Sequence, residues 1–260
     1  MGESVLYEVE DGLATVTLNR PEAMNALDTG TKDALRDALV AAGSDRAVRA
    51  VLLTARGRAF CVGQDLKEHV ATLEAGGGLS TVAEHYNPIT TALATMPKPV
   101  VAAVNGAAAG AGAGFAFAAD YRLAADTASF TTAFAGVALS TDSGMSWTLP
   151  RLVGQARAAE LLLFPRSVPA QEALELGLVH RVLPAEELAQ AAVAVARRLA
   201  DGPTVAYAAI KEALAYGASH TLEETLARED VLQARAGGSA DHREGVAAFV
   251  AKRKPHFEGR

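Results

Sequence analysis

The sequence predicts an α/β fold of parallel strands joined by crossover helices. Two short and largely apolar runs, residues 48–53 and 100–104, are each followed by a glycine-containing loop and then by a helical pattern. Runs of this kind are typical of strands that are buried on both faces of a sheet. From residue 185 to the end of the chain only helical patterns occur. Strand, loop and helix thus alternate first, and a helical region follows.

The first elements are a predicted β-hairpin and a helix. Residues 4–20 alternate between apolar and polar side chains on both sides of Asp11-Gly12, which is a hairpin turn signal. Asp28 is suited to cap the amino end of a helix over residues 30–42. The chain therefore reaches its first buried strand through a hairpin and a helix.

Residues 98–120 are the stretch around which the rest of the chain is organised. The apolar run is followed by a turn, by alternating glycine and alanine over 110–114, and by an apolar helix over 115–119. A helix start made of glycine and alanine leaves its first backbone N–H groups accessible to a ligand. The partial positive charge there favours an anion, or an oxygen that is becoming one. Close packing of the helix on the sheet is an alternative reason for these small residues.

The remaining elements are predicted from hydrophobic period and turn signals. A helix is predicted over 82–95, after a Gly- and Ser-rich segment at 74–82 that we expect to be mobile. Residues 130–137 are predicted to be a loop or short turn. The other predicted elements are a β unit at 121–130, helices at 155–164 and 170–176, a strand at 178–183, and helices at 185–201, 203–217, 221–236 and 241–253.

Composition limits the classes of protein that the chain can belong to. The formal net charge is −6 and the one strongly basic run, Lys252-Arg253-Lys254, is short, so nucleic-acid binding is not expected. The single cysteine, Cys61, excludes an internal disulfide and fits a reducing compartment. The acidic amino terminus predicts no signal peptide. The uncharged stretch 99–119 is rich in Ala and Gly, so we predict a cytoplasmic protein without a membrane span.

Two glycine-containing loops are candidates for binding a carbonyl oxygen. Residues 60–66 and 106–114 each bring exposed backbone N–H groups to a predicted helix start. One N–H from each loop would form an oxyanion hole, which stabilises a carbonyl oxygen as it takes on negative charge. The predicted donors are the N–H groups of Gln64 and Ala111.

Asp142 is the candidate acid or base beside this pair. It lies in a turn next to glycine, after a buried stretch. A simpler interpretation is that Asp142 only caps a helix starting at Ser143, and spacing alone favours that interpretation. Asp65 is predicted to cap the helix that continues through Leu66, and Asp120 is predicted to pair with an arginine.

Other catalytic patterns are missing from the sequence. Cys61 has no histidine in a recognisable partner motif, so we predict a buried small apolar residue and not a nucleophile. The six histidines lack ligand spacing, so no metal site is predicted. No Gly-x-Ser-x-Gly motif is present, which excludes the α/β-hydrolase arrangement.

Four motifs follow one another along the chain: LNRPEAMNAL at 18–27, AFCVGQDL at 59–66, PKPVVAAVNGAAAGAGAGFAFAADYRLAA at 97–125 and AFVAKRKPHF at 248–257. They resemble the enoyl-CoA hydratase/isomerase (crotonase) family. The resemblance implies a crotonase-like spiral of repeated ββα units over residues 1–200, which would carry the CoA site. It also implies a helical trimerisation module at residues 201–260, with trimers often paired as hexamers.

The resemblance further implies the ligand and most of the site. Substrates of the family are acyl-CoA thioesters, so coenzyme A would be part of the substrate and no cofactor would be needed. The thioester carbonyl would lie between the N–H groups of Gln64 and Ala111. The backbone at Val62, Gln64 and Leu66 would hold the adenine, and Lys252 would reach the CoA phosphates.

Departures from the family pattern bear on the reaction. The two glutamates that position water in the family's hydratases would fall at Gly114 and Phe134. Hydration needs a carboxylate to activate water, so the resemblance disfavours it here. The family's enoyl-CoA isomerases use one acid at the position that matches Asp142, and the resemblance therefore favours Asp142 as the catalyst.

Within the family, HYNPI at 85–89, NGAAAGAGA at 105–113 and the segment 237–260 are most similar to the branch that contains the ring 1,2-epoxyphenylacetyl-CoA isomerases. Thr141, where proline is usual, and Met145 depart from that branch. The predicted function is an acyl-CoA isomerase that shifts a double bond or opens a ring epoxide, in phenylacetate or fatty-acid degradation. The alternatives are another crotonase-type reaction, such as hydration, thioester hydrolysis or dehalogenation, and a non-catalytic acyl-CoA binding protein.

Overall fold

The computed structural model describes residues 3–260, which form two β-sheets with helices packed around them. Within that range the strands are β1 (Val5–Glu10), β2 (Leu13–Leu18), β3 (Ala50–Ala55), β4 (Ala59–Cys61), β5 (Val100–Val104), β6 (Ala107–Ala109), β7 (Tyr121–Ala125), β8 (Ser129–Thr131), β9 (Val168–Pro169) and β10 (Arg181–Leu183). The α-helices are α1 (Thr29–Ser44), α2 (Leu66–Glu74), α3 (Asn87–Thr95), α4 (Ala111–Ala118), α5 (Met145–Val153), α6 (Gln155–Leu163), α7 (Ala170–Glu175), α8 (Ala185–Ala200), α9 (Thr204–Gly217), α10 (Leu222–Gly237) and α11 (Ala240–Val250).

The larger sheet has the strand order β1-β2-β3-β5-β7-β10. β1 and β2 form the predicted antiparallel hairpin, and the remaining pairs are parallel. Asp11 and Gly12 between β1 and β2 have φ of 45° and 79°, and such two-residue hairpin loops need positive φ at both positions. Every residue of β5 is buried, because this strand has a neighbour on each side and helix α8 packs over it.

A second, smaller sheet has the order β4-β6-β8-β9 and was not predicted from the sequence. Its strands are only two or three residues long. Such short segments cannot show an alternation of apolar and polar side chains, so they carry no periodic signal. β4, β6 and β8 are parallel to one another, with Ala107 opposite both Ala59 and Ser129.

Consecutive segments of the chain repeat one pattern across the two sheets. β3, β4 and α2 form the first unit, β5, β6 and α4 the second, and β7, β8 and α5 the third. In each unit the first strand joins the larger sheet and the second joins the smaller one. The chain therefore winds as the predicted spiral of ββα units.

Several boundaries differ from the prediction. α4 begins at Ala111, within the glycine- and alanine-rich stretch that was predicted to start the helix, and it ends at Ala118, one residue before the predicted end. The predicted strand 178–183 is ordered as a strand only over Arg181–Leu183. The segment 130–137 was predicted to be a loop or short turn; it contains the 3₁₀ turn Ala135–Val137, but its first two residues belong to β8. Glycine and short polar residues have low helix and strand propensities, so the sequence near these boundaries does not show where an element begins or ends. The hydrogen bonds of the folded chain decide it.

Polar contacts from Lys211 and Arg49 help to tie the carboxyl-terminal region to the core. Lys211 on α9 donates to the Lys98 carbonyl at 2.9 Å and pairs with Asp120 at 2.6 Å. The Arg49 guanidinium donates to the carbonyls of Gly202 at 2.6 Å and Phe257 at 2.9 Å. Across residues 3–260, none of the helices combines the length and apolarity that a bilayer crossing requires.

Candidate active site

The site forms where two loops leave the smaller sheet. β4 and β6 are parallel neighbours, so their carboxyl ends meet at one edge of that sheet. The loop after β4 leads into α2, and the loop after β6 leads into α4. Gly63 has φ +84°, and a Cβ atom there would lie 3.0 Å from the Ala109 carbonyl oxygen and 3.6 Å from the Ala111 backbone nitrogen. The two loops therefore approach as closely as a glycine allows.

The two predicted donor N–H groups are left unpaired by the fold. The Leu27 N–H donates to the Gly63 carbonyl at 2.8 Å, and the Asp65 N–H donates to the Leu27 carbonyl at 3.1 Å. The N–H of Gln64 lies between these bonds and takes part in neither. Ala111 is the first residue of α4, so its N–H has no intrahelical partner. Neither N–H donates a hydrogen bond to any of residues 3–260, so both remain unused donors.

Tyr86 lies between the Gln64 side chain and α4, within electrostatic range of Asp142. Its hydroxyl donates to Gln64 Oε1, and its ring packs edge-on against Phe115 of α4 at 6.0 Å. Burial raises the pKa of Tyr86, and the charge of Asp142 raises it further. The Tyr86 hydroxyl thus remains protonated, and it lies close enough to Asp142 for the two groups to interact electrostatically.

Asp142 lies in the connection before α5, beside the first turn of α4. A Cβ atom on Gly114 would lie 2.7 Å from Ser143 Cβ and 2.9 Å from the Ser143 carbonyl oxygen. Gly114 follows Ala111 by three residues, which is about 5 Å along a helix. The residue next to Asp142 is therefore packed one helical turn from the predicted oxyanion donor.

The Asp142 carboxyl has a raised pKa, and the backbone around it contains strained residues. Burial raises its pKa, and a hydrogen bond from Ser143 Oγ to Oδ1 at 2.8 Å only partly opposes that rise. Three non-glycine residues nearby in the chain have positive φ: Ala133 at 60°, Ala138 at 58° and Ser143 at 50°. Strained backbone and a perturbed carboxyl pKa both concentrate at functional sites.

The interpretation of Asp142 as a helix cap does not match the structure. α5 begins at Met145, after Gly144 with φ 68°, and no side chain caps its amino end. The only side-chain bond that Asp142 accepts among the described residues comes from Ser143. Its carboxyl is thus not committed to the helix.

The other two aspartates with predicted roles have clear structural partners. Asp65 caps α2 by accepting the N–H of Lys67 at 3.0 Å, as predicted. Asp120 accepts the Val100 N–H at 2.7 Å and pairs with Lys211, so the prediction of an arginine partner was wrong. Lys211 is distant in sequence and only the packing of α9 brings it to Asp120.

The two positions that the family resemblance links to hydratase glutamates differ in character. Gly114 has no room for a side chain unless Ser143 moves. Phe134 is buried, at 7% exposure, and supplies an apolar ring.

The predicted CoA contacts are only partly brought together. Val62 and Gln64 lie on the loop after β4, and Leu66 is the first residue of α2 and is 69% exposed. Lys252 follows α11, and no hydrogen bond or ion pair in the described part of the chain joins its side chain to that loop.

Cys61 is fully buried, as predicted, and burial raises the pKa of its thiol to about 12. A thiol in this state is not a nucleophile at neutral pH. Among residues 3–260, no three His, Cys, Asp or Glu side chains are grouped in a way that could hold a metal ion.

Comparison with known proteins agrees with this geometry. The sequence model of the enoyl-CoA hydratase/isomerase family matches residues 8–260. The chain belongs to that family. A crystal structure from Mycobacterium abscessus described as an enoyl-CoA hydratase/isomerase superposes with a TM-score of 0.95 at 48% identity, covering 98% of this chain and 100% of the other.

Two curated relatives of the family carry different activities in their names. "Probable enoyl-CoA hydratase" of Rhodobacter capsulatus is 47% identical over 99% of this chain and 98% of its own length. 1,2-Epoxyphenylacetyl-CoA isomerase of Escherichia coli is 43% identical over the full length of both chains. The chain is thus a crotonase-family acyl-CoA hydratase/isomerase, and the choice between the two reactions depends on its own site.

Sequence reasoning missed the polar groups that surround Gln64. Lys32, Glu68 and Tyr86 all contact its side chain. The position of Lys32 could have been noticed in the sequence. It precedes Leu35 by three residues and Leu39 by seven, so it lies on the apolar face of a predicted helix. A charged residue in such a stripe needs a buried partner.

Proposed function

We propose that this chain is an acyl-CoA isomerase that shifts a double bond, or opens a ring epoxide, through an enolate held by the N–H groups of Gln64 and Ala111. The observation that carries the proposal is the Asp142 carboxyl, which is half-buried and has a raised pKa, and whose neighbour Ser143 packs against Gly114 in the first turn of α4. The other carboxyls near Gln64 are occupied, since Asp65 caps α2 and Glu68 is paired with Lys32.

In the proposed reaction the Asp142 carboxylate removes a proton from C2 of a 3-enoyl-CoA thioester. The electron pair of the C–H bond moves into the conjugated system, and the carbonyl oxygen becomes an enolate oxygen. The two backbone N–H groups and the amino end of α4 stabilise that negative charge. Protonated Asp142 then delivers the same proton to C4, the carbonyl re-forms, and the product is the 2-enoyl-CoA. Every proton and electron pair is returned within the active site.

Hydration is the less favoured reaction, although one relative bears a hydratase name. Adding water across a double bond needs carboxylates that orient and activate the water. The candidate positions for these carboxylates hold Gly114, which has no room for a side chain, and the buried ring of Phe134. One carboxyl, Asp142, is suited to a proton shuttle.

The proposal is tested by turnover of the purified protein on 3-enoyl-CoA thioesters, both aliphatic and phenylacetyl-derived. We expect the absorbance of the conjugated 2-enoyl thioester to rise, and crotonyl-CoA to be hydrated far more slowly. Rapid hydration of crotonyl-CoA without double-bond migration would identify a hydratase. Release of free CoA would identify a thioesterase, and binding without any turnover would indicate an acyl-CoA binding protein.

Isomerase activity should depend on pH through Asp142. The group acts first as a base, so it must be ionised, and its pKa is raised above the ordinary aspartate value of 3.8. Activity is therefore lost as pH falls through the raised pKa, and the acid limb of the kcat/KM profile should have its midpoint above 3.8. A profile that stays flat down to the ordinary value would argue against Asp142 as the base.

The similarity to 1,2-epoxyphenylacetyl-CoA isomerase supports a ring epoxide as one substrate class and a role in phenylacetate degradation. We also propose a homotrimer or a pair of trimers. In support, the helices after α8 expose large apolar side chains, including Ile210 at 54%, Leu214 at 71% and Phe249 at 86%. In such an assembly Lys252 would be the candidate for contact with CoA phosphates.

A further inference from the structure

The Gln64 side chain lies at the centre of a partly buried polar group that the proposed proton shuttle does not use. We name it the Lys32 cluster, and its members are Lys32, Gln64, Glu68, Thr81 and Tyr86. Lys32 on α1 is 1% exposed and Tyr86 is 2% exposed. The cluster joins α1, the loop after β4, α2 and the turn before α3.

The Lys32 ammonium is fully paired. Its Nζ donates to Glu68 Oε1 at 2.9 Å, to Thr81 Oγ1 at 2.9 Å and to Gln64 Oε1 at 3.3 Å. A lysine has three donors, so none is left over. Burial raises the pKa of Glu68, but the Lys32 and Thr29 hydrogen bonds outweigh it and lower the pKa to about 2. Glu68 is thus the fixed negative partner of Lys32.

The Gln64 amide is held from both of its ends. Its Oε1 accepts from Lys32 and from the Tyr86 hydroxyl, while its Nε2 donates to Glu68 Oε1 at 3.2 Å. The backbone on either side of Gln64 is bonded to Leu27. Side chain and backbone are therefore restrained together, and the direction of the Gln64 N–H is restrained with them.

We propose that Lys32 and Tyr86 are positioning residues that keep the Gln64 N–H aligned with the substrate carbonyl oxygen. The inference rests on the proposed function in one respect, the use of that N–H as an oxyanion donor. A merely cohesive role for Lys32 would be met by an apolar residue, since pairing a buried charge, here with the partly exposed Glu68, is often no more stabilising than well-packed hydrophobic side chains. A misplacement of about 1 Å at a catalytic donor can cost on the order of 100-fold in rate.

The test uses phenylacetyl-CoA labelled with ¹³C at the thioester carbonyl. Its acyl group has no double bond outside the aromatic ring, so double-bond migration cannot consume it. In the wild-type protein we expect binding to lower the infrared frequency of the labelled carbonyl. In Lys32→Met most of that shift should be lost, while Kd for phenylacetyl-CoA stays within about threefold. The kcat for a 3-enoyl-CoA should fall by about 10- to 100-fold. Tyr86→Phe should change both readouts in the same direction by a smaller factor.

Lys98→Met is the matched control. Lys98 is also a buried lysine, 6% exposed, but it donates to the carbonyls of Ala42 and Asp45 at the end of α1. We expect it to lower the melting temperature and leave the carbonyl shift and kcat of the folded protein unchanged. An equal loss in Lys98→Met, or an unchanged shift and kcat in Lys32→Met, would overturn the inference. If Lys32→Met does not fold, Tyr86→Phe decides, since it removes one hydroxyl and no charge.

The carbonyl shift also separates this inference from the proposed function. A wild-type protein that binds phenylacetyl-CoA without any shift has no working oxyanion hole, and the proposed function fails. If the shift is present in the wild-type protein and unchanged in Lys32→Met and Tyr86→Phe, the proposed function is still supported. Lys32 and Tyr86 are then not positioning residues.

Discussion

Asp142→Asn is expected to lower kcat for double-bond migration by about 10²- to 10⁴-fold, the usual contribution of a general acid or base. The amide matches the carboxyl in shape and can still accept the Ser143 hydroxyl, but it cannot take up a proton. The measurement is the rate of formation of conjugated thioester from a 3-enoyl-CoA at saturating substrate. Binding of phenylacetyl-CoA should change little, because the backbone donors are untouched.

Stability provides a second readout for the same variant. Burial raises the folded-state pKa of Asp142, so the folded chain binds this proton more tightly than the unfolded chain does. Stability associated with Asp142 is therefore lost as pH rises through that pKa, and at neutral pH the buried charge is unfavourable. Asp142→Asn should leave the melting temperature equal or slightly higher, whereas loss of a helix cap would lower it.

Asp126→Asn is the matched control, because Asp126 is exposed in the turn after β7. Its activity and melting temperature should equal those of the wild-type protein. Full activity in Asp142→Asn would show that another group moves the proton. A parallel loss of activity and of phenylacetyl-CoA binding would show that the substitution had disturbed the site as a whole.

Ala111→Pro should lower kcat by about 10²- to 10³-fold, the effect of removing one oxyanion donor. Proline lacks the N–H and suits the first position of a helix, where Ala111 stands in α4. Gly110 before it has no Cβ to meet the proline ring. The assay is kcat on a 3-enoyl-CoA, and the expected infrared shift of bound labelled phenylacetyl-CoA should shrink as well.

The control for this variant is Ala185→Pro, which places the same residue at the first position of α8, at an exposed site after Pro184. We expect normal activity there. Equal activity losses in the two variants would point to a general effect of proline on folding. Wild-type kcat in Ala111→Pro would exclude the Ala111 N–H as a donor.

Much of the architecture could be predicted from the sequence, because the relevant signals are local. The Asp11-Gly12 turn specified the hairpin, Asp28 capped α1, and the apolar run at 100–104 became the fully buried β5. The carboxyl-terminal helices were placed within a few residues of α8 to α11. Turn residues, caps and periodic patterns act over a few residues and can be read without knowing what packs against them.

The candidate donors could also be predicted from the sequence. Gln64 and Ala111 follow glycines at helix starts, and this local chemistry leaves their N–H groups unpaired. The role of the Asp142 carboxyl was harder to predict, because an aspartate in a turn before a helix has the same local sequence pattern as a helix cap. Only the folded chain shows that Ser143, the residue after Asp142, packs against Gly114 of α4.

Tertiary structure alone decided the features that depend on distant partners. The smaller sheet pairs strands of two or three residues that have no pattern of their own. Asp120 found Lys211, and Lys32 became buried because Glu68, Thr81 and Gln64 accept its three donors. A burial cost or a raised pKa belongs to the surroundings of a group and not to the group itself. The sequence therefore determined the hairpin, the long buried strands, most helices and the unpaired donors, while packing decided the smaller sheet and the charged groups that surround the donors.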